Sequence, residues 1–203
     1  MARLDRDFFR QDTLTVARSL PGLFLARRLE DELLLCRIVE TEAYIGPIDK
    51  ACHAYGGRRT ARTEVMFGPP GHAYIYLIYG MYCCLNFVTE AEGRPCAVLL
   101  RGLEPVYGTD TVARLRFGCA AAEMTAYQRK NFLNGPGKCC KGLSLTTSHT
   151  GMDLTGEDLF LLQDPSDIGL PPVPREQRPL KTGKRIGIDY AEEAIDFPWR
   201  FYL

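Results

Sequence analysis

The chain has 203 residues, 46% of them hydrophobic and 25% charged, enough to bury a sizeable core and ordinary for a soluble globular protein. Its 25 basic and 25 acidic residues cancel to a formal charge of zero, which taken alone argues against a generic nucleic-acid binder. The longest apolar run, Ala73 to Val88, is shorter than a membrane span and is interrupted by Gly80 and Asn86, and the acidic charge in Met1-Ala-Arg-Leu-Asp-Arg-Asp7 is unlike a secretory leader.

These features lead to the expectation of one intracellular domain over residues 1–203, with no membrane association. In chain order, Asp12 is placed to cap a helix from Thr13 to Leu20, stopped by Pro21-Gly22. Leu23–Arg27 and Leu33–Glu42 read as a hairpin turning through Glu30-Asp31. A short helical piece is expected near Asp49 to Ala54, then a mobile basic loop, Gly56–Arg62. Ala73–Ile78, Tyr82–Val88 and Ala97–Arg101 read as three consecutive strands, so an antiparallel meander is predicted. Helices are expected from Thr109 or Asp110 to Phe117, from Ala120 to Phe132, and from the Asn134-Gly-Pro-Gly-Lys138 turn, where Pro136 suits a first helical turn. Asp158–Leu162 and Lys184–Ile188 read as strands, Pro165–Lys184 as irregular, and Pro198–Leu203 as apolar enough to be tied down. The predicted fold is α/β of the α+β type: a mainly antiparallel curved sheet flanked by helices, with a protruding β-hairpin.

The eight cysteines form two adjacent pairs and four singles without a Cys-x-x-Cys, and only His53, His72 and His149 accompany them. No zinc spacing can be assembled, so buried free thiols are expected and no metal or organic cofactor.

Two carboxylates stand out. Strict alternation puts Leu34, Cys36 and Ile38 on one face of a strand, and that apolar row runs on into Glu40, Glu42 and Tyr44. A carboxylate ending a core-facing row is half desolvated, which raises its pKa and suits it to accept a proton. The alternative is a strand-end carboxylate paired with arginine for structure alone. After Gly46-Pro47 the chain returns His53 to the same region, as a hydrogen-bond donor, a stacking group or a plain structural histidine.

The second notable stretch is the aromatic hairpin Tyr74-Ile-Tyr-Leu-Ile-Tyr-Gly-Met-Tyr82. A Tyr79-Gly80-Met81 loop pairs Tyr76 with Cys84 and Tyr74 with Asn86, whereas a two-residue loop pairs them differently. In either register Tyr79 is at the tip, exposed for insertion into a stack of bases or folded back on its own protein. Basic residues gather as Arg58, Arg59 and Arg62, as Lys138 and Lys141, and as Lys181, Lys184 and Arg185. If these clusters converge, zero net charge still leaves a patch for phosphates.

Together, Glu40-Thr-Glu-Ala-Tyr-Ile-Gly-Pro47, His53, Gly56-Gly57, Met66-Phe67, the Tyr74–Tyr82 hairpin with Asn86, Ala97–Pro105, Asn134–Lys138, Arg185-Ile-Gly-Ile188 and Arg200-Phe-Tyr202 resemble the alkyladenine (3-methyladenine) DNA glycosylase family, in order and over nearly the whole chain. The resemblance implies Glu42 as the general base for a water attacking the sugar C1′, with Arg101 and the Ile186 carbonyl positioning that water. It implies Tyr44, His53 and Tyr76 as the sandwich for a flipped base, and Asn86 as the screen against guanine. Tyr79 is implied as the wedge, with Met81 and Tyr82 at the DNA surface; Arg58 and Lys138 are the basic residues assigned to DNA. The implied activity is monofunctional excision of alkylated or deaminated purines from double-stranded DNA by a monomer, without cofactor. Alkylated purines such as 3-methyladenine are cationic, and an electron-rich tyrosine cage attracts a cation. A non-catalytic binder of distorted DNA and a nucleosidase are the competing readings.

Overall fold

The computed structural model describes residues 3–30 and 32–203. Eight strands form one open sheet: β1 (Phe24–Leu29), β2 (Glu32–Ile45), β3 (Ala73–Ile78), β4 (Tyr82–Thr89), β5 (Cys96–Tyr107), β6 (Leu159–Leu162), β7 (Lys181–Gly183) and β8 (Arg200–Tyr202). The main order is β3-β4-β5-β2-β1-β6, with β8 on β2 and β7 on β8, and every pairing is antiparallel. Asp31 of the predicted first turn lies outside the described residues.

Helices α1 (Arg6–Arg10), α2 (Thr13–Ser19), α3 (Thr109–Phe117) and α5 (Pro136–Gly142) are short, and most of their stability comes from burying one side against the sheet. Phe9, Val16, Leu20, Val112, Cys140 and Leu143 meet Leu34, Ile38, Ile75, Phe87, Val98 and Leu100 in the main core. The other face is covered by irregular chain instead, residues 165–173 at one end and the segments around 51–67 and 188–197 at the other.

The Asp12 cap accepts from the Leu14 and Thr15 N–H groups, as expected. Other boundaries differ. Residues 49–54 form turns rather than a helix, because Asp49 spends its carboxylate on the Ile45 and Ala51 N–H groups. The helix expected over 120–132 is broken into a 3-10 turn, Ala121–Glu123, and α4 (Ala126–Lys130), because Thr125 starts a new capping box with Gln128. Lys184–Ile188 is not a strand; β7 precedes it, and Gly187 has a φ of 76°. The β5 strand runs six residues past Arg101, carried by its pairing with β2.

The most consequential difference lies in β2. Leu34, Cys36 and Ile38 face the helix-side core, but so does Ala43, and the Thr41 hydroxyl donates to the Ala17 carbonyl of α2 at 2.7 Å. The alternation therefore changes phase between Ile38 and Thr41. It does so because the ladder with β5 slips on both sides of the Glu40–Gly102 pair, and β5 changes phase there too, with Leu100 and Leu103 both in the main core. A Cβ on Gly102 would lie 3.0 Å from the Glu40 Cβ and 3.1 Å from Val39 Cγ2, so glycine accommodates the close approach without pushing those side chains aside. The expected continuous row of Leu34, Cys36, Ile38, Glu40, Glu42 and Tyr44 is thus corrected. The last three leave the helix-side core and point to the loop-covered face.

Candidate active site

That face holds a cavity of about 680 Å³, open at one side, whose walls include Tyr44, His53, Tyr74, Tyr76, Asn86, Arg101 and Ile186. It is a volume suited to a small flat ligand. β3 and β4 supply one wall in the register of the three-residue alternative, Tyr76 opposite Cys84 and Tyr74 opposite Asn86. The His53 ring meets Tyr76 edge-on at 4.6 Å, and its Nδ1 lies 2.9 Å from the Tyr74 hydroxyl. Burial, aided by the Arg62 charge, brings the His53 pKa down to about 4, so the ring is neutral at physiological pH. The Asn86 amide nitrogen donates to the Tyr74 and Cys84 carbonyls at 3.1 and 3.3 Å, which fixes its plane against the hairpin.

Glu42 is fully buried, one layer behind the wall made by Tyr44, Arg101 and Ile186. Its Oε1 accepts from the Ile186 N–H at 2.8 Å and lies 3.4 Å from Arg101 Nε, while its Oε2 accepts from the Tyr44 hydroxyl at 2.8 Å. Burial raises its pKa above the ordinary carboxylate range against the opposing pull of Arg101, the Ile186 N–H and the Tyr44 hydroxyl. Glu40 is held differently. It accepts from Arg101 Nε at 3.2 Å and from Arg200 at 3.3 Å, which makes it the brace of Arg101. Arg101 has no protein partner on its two terminal nitrogens among the described residues, and it borders the cavity.

At the hairpin tip Tyr79 is 81% exposed. Its φ of 53° and the 67° of Gly80, closed by the Met81 N–H donating to the Ile78 carbonyl at 3.2 Å, match a type I′ turn with Met81 as an extra residue. Tyr79 and Tyr82 lie along the cavity mouth; Met81 is exposed beyond it, and Arg58 is exposed and off the wall. Lys138 is on the wall, its ammonium donating to Asn131 and Asn134 side-chain carbonyls. Gly137 lets α5 reach the hairpin, since a Cβ there would lie 2.9 Å from the Tyr82 Cβ.

The third basic cluster does not form a surface patch. Lys184 pairs with Asp196, and Arg185 is buried against Asp49. Sequence reasoning missed this pair, whose members are 136 positions apart. It also missed the Arg62 guanidinium, which lies over the Tyr76 ring at 5.0 Å and 3.4 Å from His53 Nε2. Only the tight spacing of three arginines in one loop hinted at Arg62.

A family model described as Methylpurine-DNA glycosylase (MPG) matches residues 7–203. The chain belongs to the methylpurine-DNA glycosylase family. Relatives named "Putative 3-methyladenine DNA glycosylase" agree. One from Clostridium perfringens (strain SM101 / Type A) is 47% identical over 201 residues, 99% of this chain and 95% of the relative. One from Desulfitobacterium hafniense (strain Y51) is 46% identical over 203 residues, 100% and 96% of the two chains. One from Bacillus cytotoxicus is 48% identical over 196 residues, 97% and 93%. As a family member the chain is a DNA glycosylase, and no helix among the described residues is long and apolar enough to cross a membrane. Its eight cysteines are free thiols, six of them buried.

Proposed function

We propose that this methylpurine-DNA glycosylase flips alkylated or deaminated purines out of double-stranded DNA and hydrolyses their N-glycosidic bond, leaving an abasic site. The observation that carries the reading is Glu42, a fully buried carboxylate beside an aromatic cavity of about 680 Å³. A purine in duplex must leave the stack before its sugar can be attacked, at a cost of a few kcal/mol. Tyr79, exposed at the tip beside the cavity mouth, has the position to fill the vacated space. Tyr44, His53 and Tyr76 offer faces and edges to the flipped base, and Asn86 presents a fixed amide at its edge.

In the reaction the C1′–N bond breaks and the base leaves with the bonding electrons. A water oxygen bonds to C1′ and gives its proton to Glu42, whose negative charge also stabilises the oxocarbenium-like sugar. Arg101 holds charge beside Glu42 Oε1, the same oxygen that accepts from the Ile186 N–H. Among the described residues the one lysine bordering the cavity is Lys138, which already donates to two asparagine carbonyls, and no other amine lines the wall for a Schiff base. The proposed outcome is hydrolysis without strand cleavage, by a monomer acting on DNA within the cell.

The test is base release from duplexes containing hypoxanthine or 3-methyladenine, with strand integrity followed in parallel. Release of either base with intact strands is expected; release of neither would remove the proposal. Glu42→Gln should abolish release and keep affinity for the same DNA, whereas a binder without catalysis would be unaffected.

A further inference from the structure

Arg185 and Asp49 form an ion pair in which neither side chain is exposed at all. Arg185 also donates to the Ala43 carbonyl at 2.8 Å and to the Ala194 carbonyl at 3.2 Å. Its guanidinium lies over the Tyr44 ring at 4.7 Å and the Trp199 ring at 5.0 Å, off the cavity wall. Asp49 in turn accepts from the Ile45 and Ala51 N–H groups. One pair thus ties together the end of β2 that carries Glu42 and Tyr44, the turn leading to His53, and the irregular strap 184–188. At its far end Ile188 is buried beside Ala51, Ala191 and Ala194, but between the two ends Ile186 is half exposed and Gly187 holds a left-handed φ, so the placing of the Ile186 N–H depends on how the Arg185 end is held.

A buried ion pair is poor glue. Replacing it with well-packed apolar residues is often neutral or stabilising, because two charges must be desolvated to bury it. Its value here must come from where it holds things. We propose that Asp49 and Arg185 are positioning residues for the reaction, setting the Ile186 N–H against Glu42 Oε1 and bracing Tyr44 from behind. This rests on Glu42 being the general base. Without the pair the strap drifts, Glu42 loses a donor to its ionised form, and the wall of the base pocket softens.

The wild-type protein is assayed first, and absence of base release would sink the glycosylase reading rather than this one. With release established, Asp49→Asn, Arg185→Lys and the apolar double variant Asp49→Leu with Arg185→Met are compared. The measurements are melting temperature, affinity for duplex carrying an abasic analogue, and single-turnover release against pH. Positioning predicts folded variants that bind the duplex nearly as well but release base about 10²-fold more slowly. It also predicts that the acidic limb of their rate profile moves to higher pH. The charges facing Glu42, namely Arg101 and Glu40 with Arg200 beyond it, are unchanged in sequence, so the shift reports the loosening of the two donors the pair positions, the Ile186 N–H and the Tyr44 hydroxyl. A folded double variant with the wild-type rate and an unmoved limb would overturn the proposal. Failure of all three variants to fold would overturn it too, since the pair would then serve the fold alone.

Discussion

A carboxylate that must be ionised to accept a proton works only above its own pKa, and burial moves that of Glu42 upward. The release rate should therefore fall, as pH drops, at a value above the roughly 4.3 of an unperturbed glutamate. Stability runs the opposite way. With a folded pKa above the unfolded one, the stabilisation is full below the unfolded value and is lost as pH rises through the folded value. Ionised Glu42 thus costs stability at neutral pH. Glu42→Gln is expected to melt no lower than wild type at pH 8, with the margin gone by about pH 4, while release falls at least about 10²-fold. Melting curves at the two pH values check the first part. A variant that melts lower at pH 8 would contradict the desolvation account.

At the level of elements, the tip turn and the bulge in β2 make opposite cases for what a sequence reveals. Tyr79 occupies a φ of 53°, where asparagine or glycine is favoured and a bulky side chain costs about 1 kcal/mol. Tyr79→Asn should therefore raise the melting temperature by about 2–4 °C. It should also slow release from duplex DNA on the order of tenfold or more, because the gap is no longer held open. A loss of both stability and activity would mean that Tyr79 packs on its own protein. The tip was legible because a tyrosine beside Gly80 has no core to reach, and the pairing of Tyr74 with Asn86 followed from one loop length. The phase change at Val39–Glu40 was not legible. It depends on Gly102 and Arg101 across the ladder, and no local pattern around Glu42 records them. Lys184–Ile188 misled for the converse reason, since its alternating isoleucines imitate a strand while its backbone is held by the side chain of Arg185.

For the whole molecule, one face of the sheet is helix-covered and structural, and the other carries the cavity beneath irregular chain. Zero net charge is reached with acidic residues near that cavity largely matched: Lys50 pairs with Glu192 and Glu193, and Lys184 with Asp196. Those lysines are not free for phosphates, whereas Arg62, Arg116 and Lys138 on the cavity wall have no carboxylate partner among the described residues, so log affinity should fall with log salt at about −0.9 per phosphate they neutralise. Lys138 can exchange its two asparagine carbonyls for a phosphate. Lys138→Ala is expected to flatten the plot of log affinity against log salt by about one unit, for damaged and undamaged duplex alike. An unchanged slope would remove Lys138 from the DNA contact.

The two tyrosines of the proposed base pocket share a feature with a thermodynamic consequence. Tyr44 has the Arg185 guanidinium over its ring, off the cavity wall, and Tyr76 has Arg62 over its ring on the cavity side. A cation therefore already lies against one tyrosine of the cavity, and a methylated, positively charged purine arriving there meets like-charge repulsion from Arg62. Part of the cation–π attraction of the Tyr76 ring is already taken up by Arg62, so the net gain for a cationic base shrinks. A neutral hypoxanthine meets no such competitor for charge. Arg62→Ala should accordingly improve excision of 3-methyladenine relative to hypoxanthine, measured as the ratio of their single-turnover rates in one duplex sequence. An unaltered ratio would mean that the arginine is a bystander.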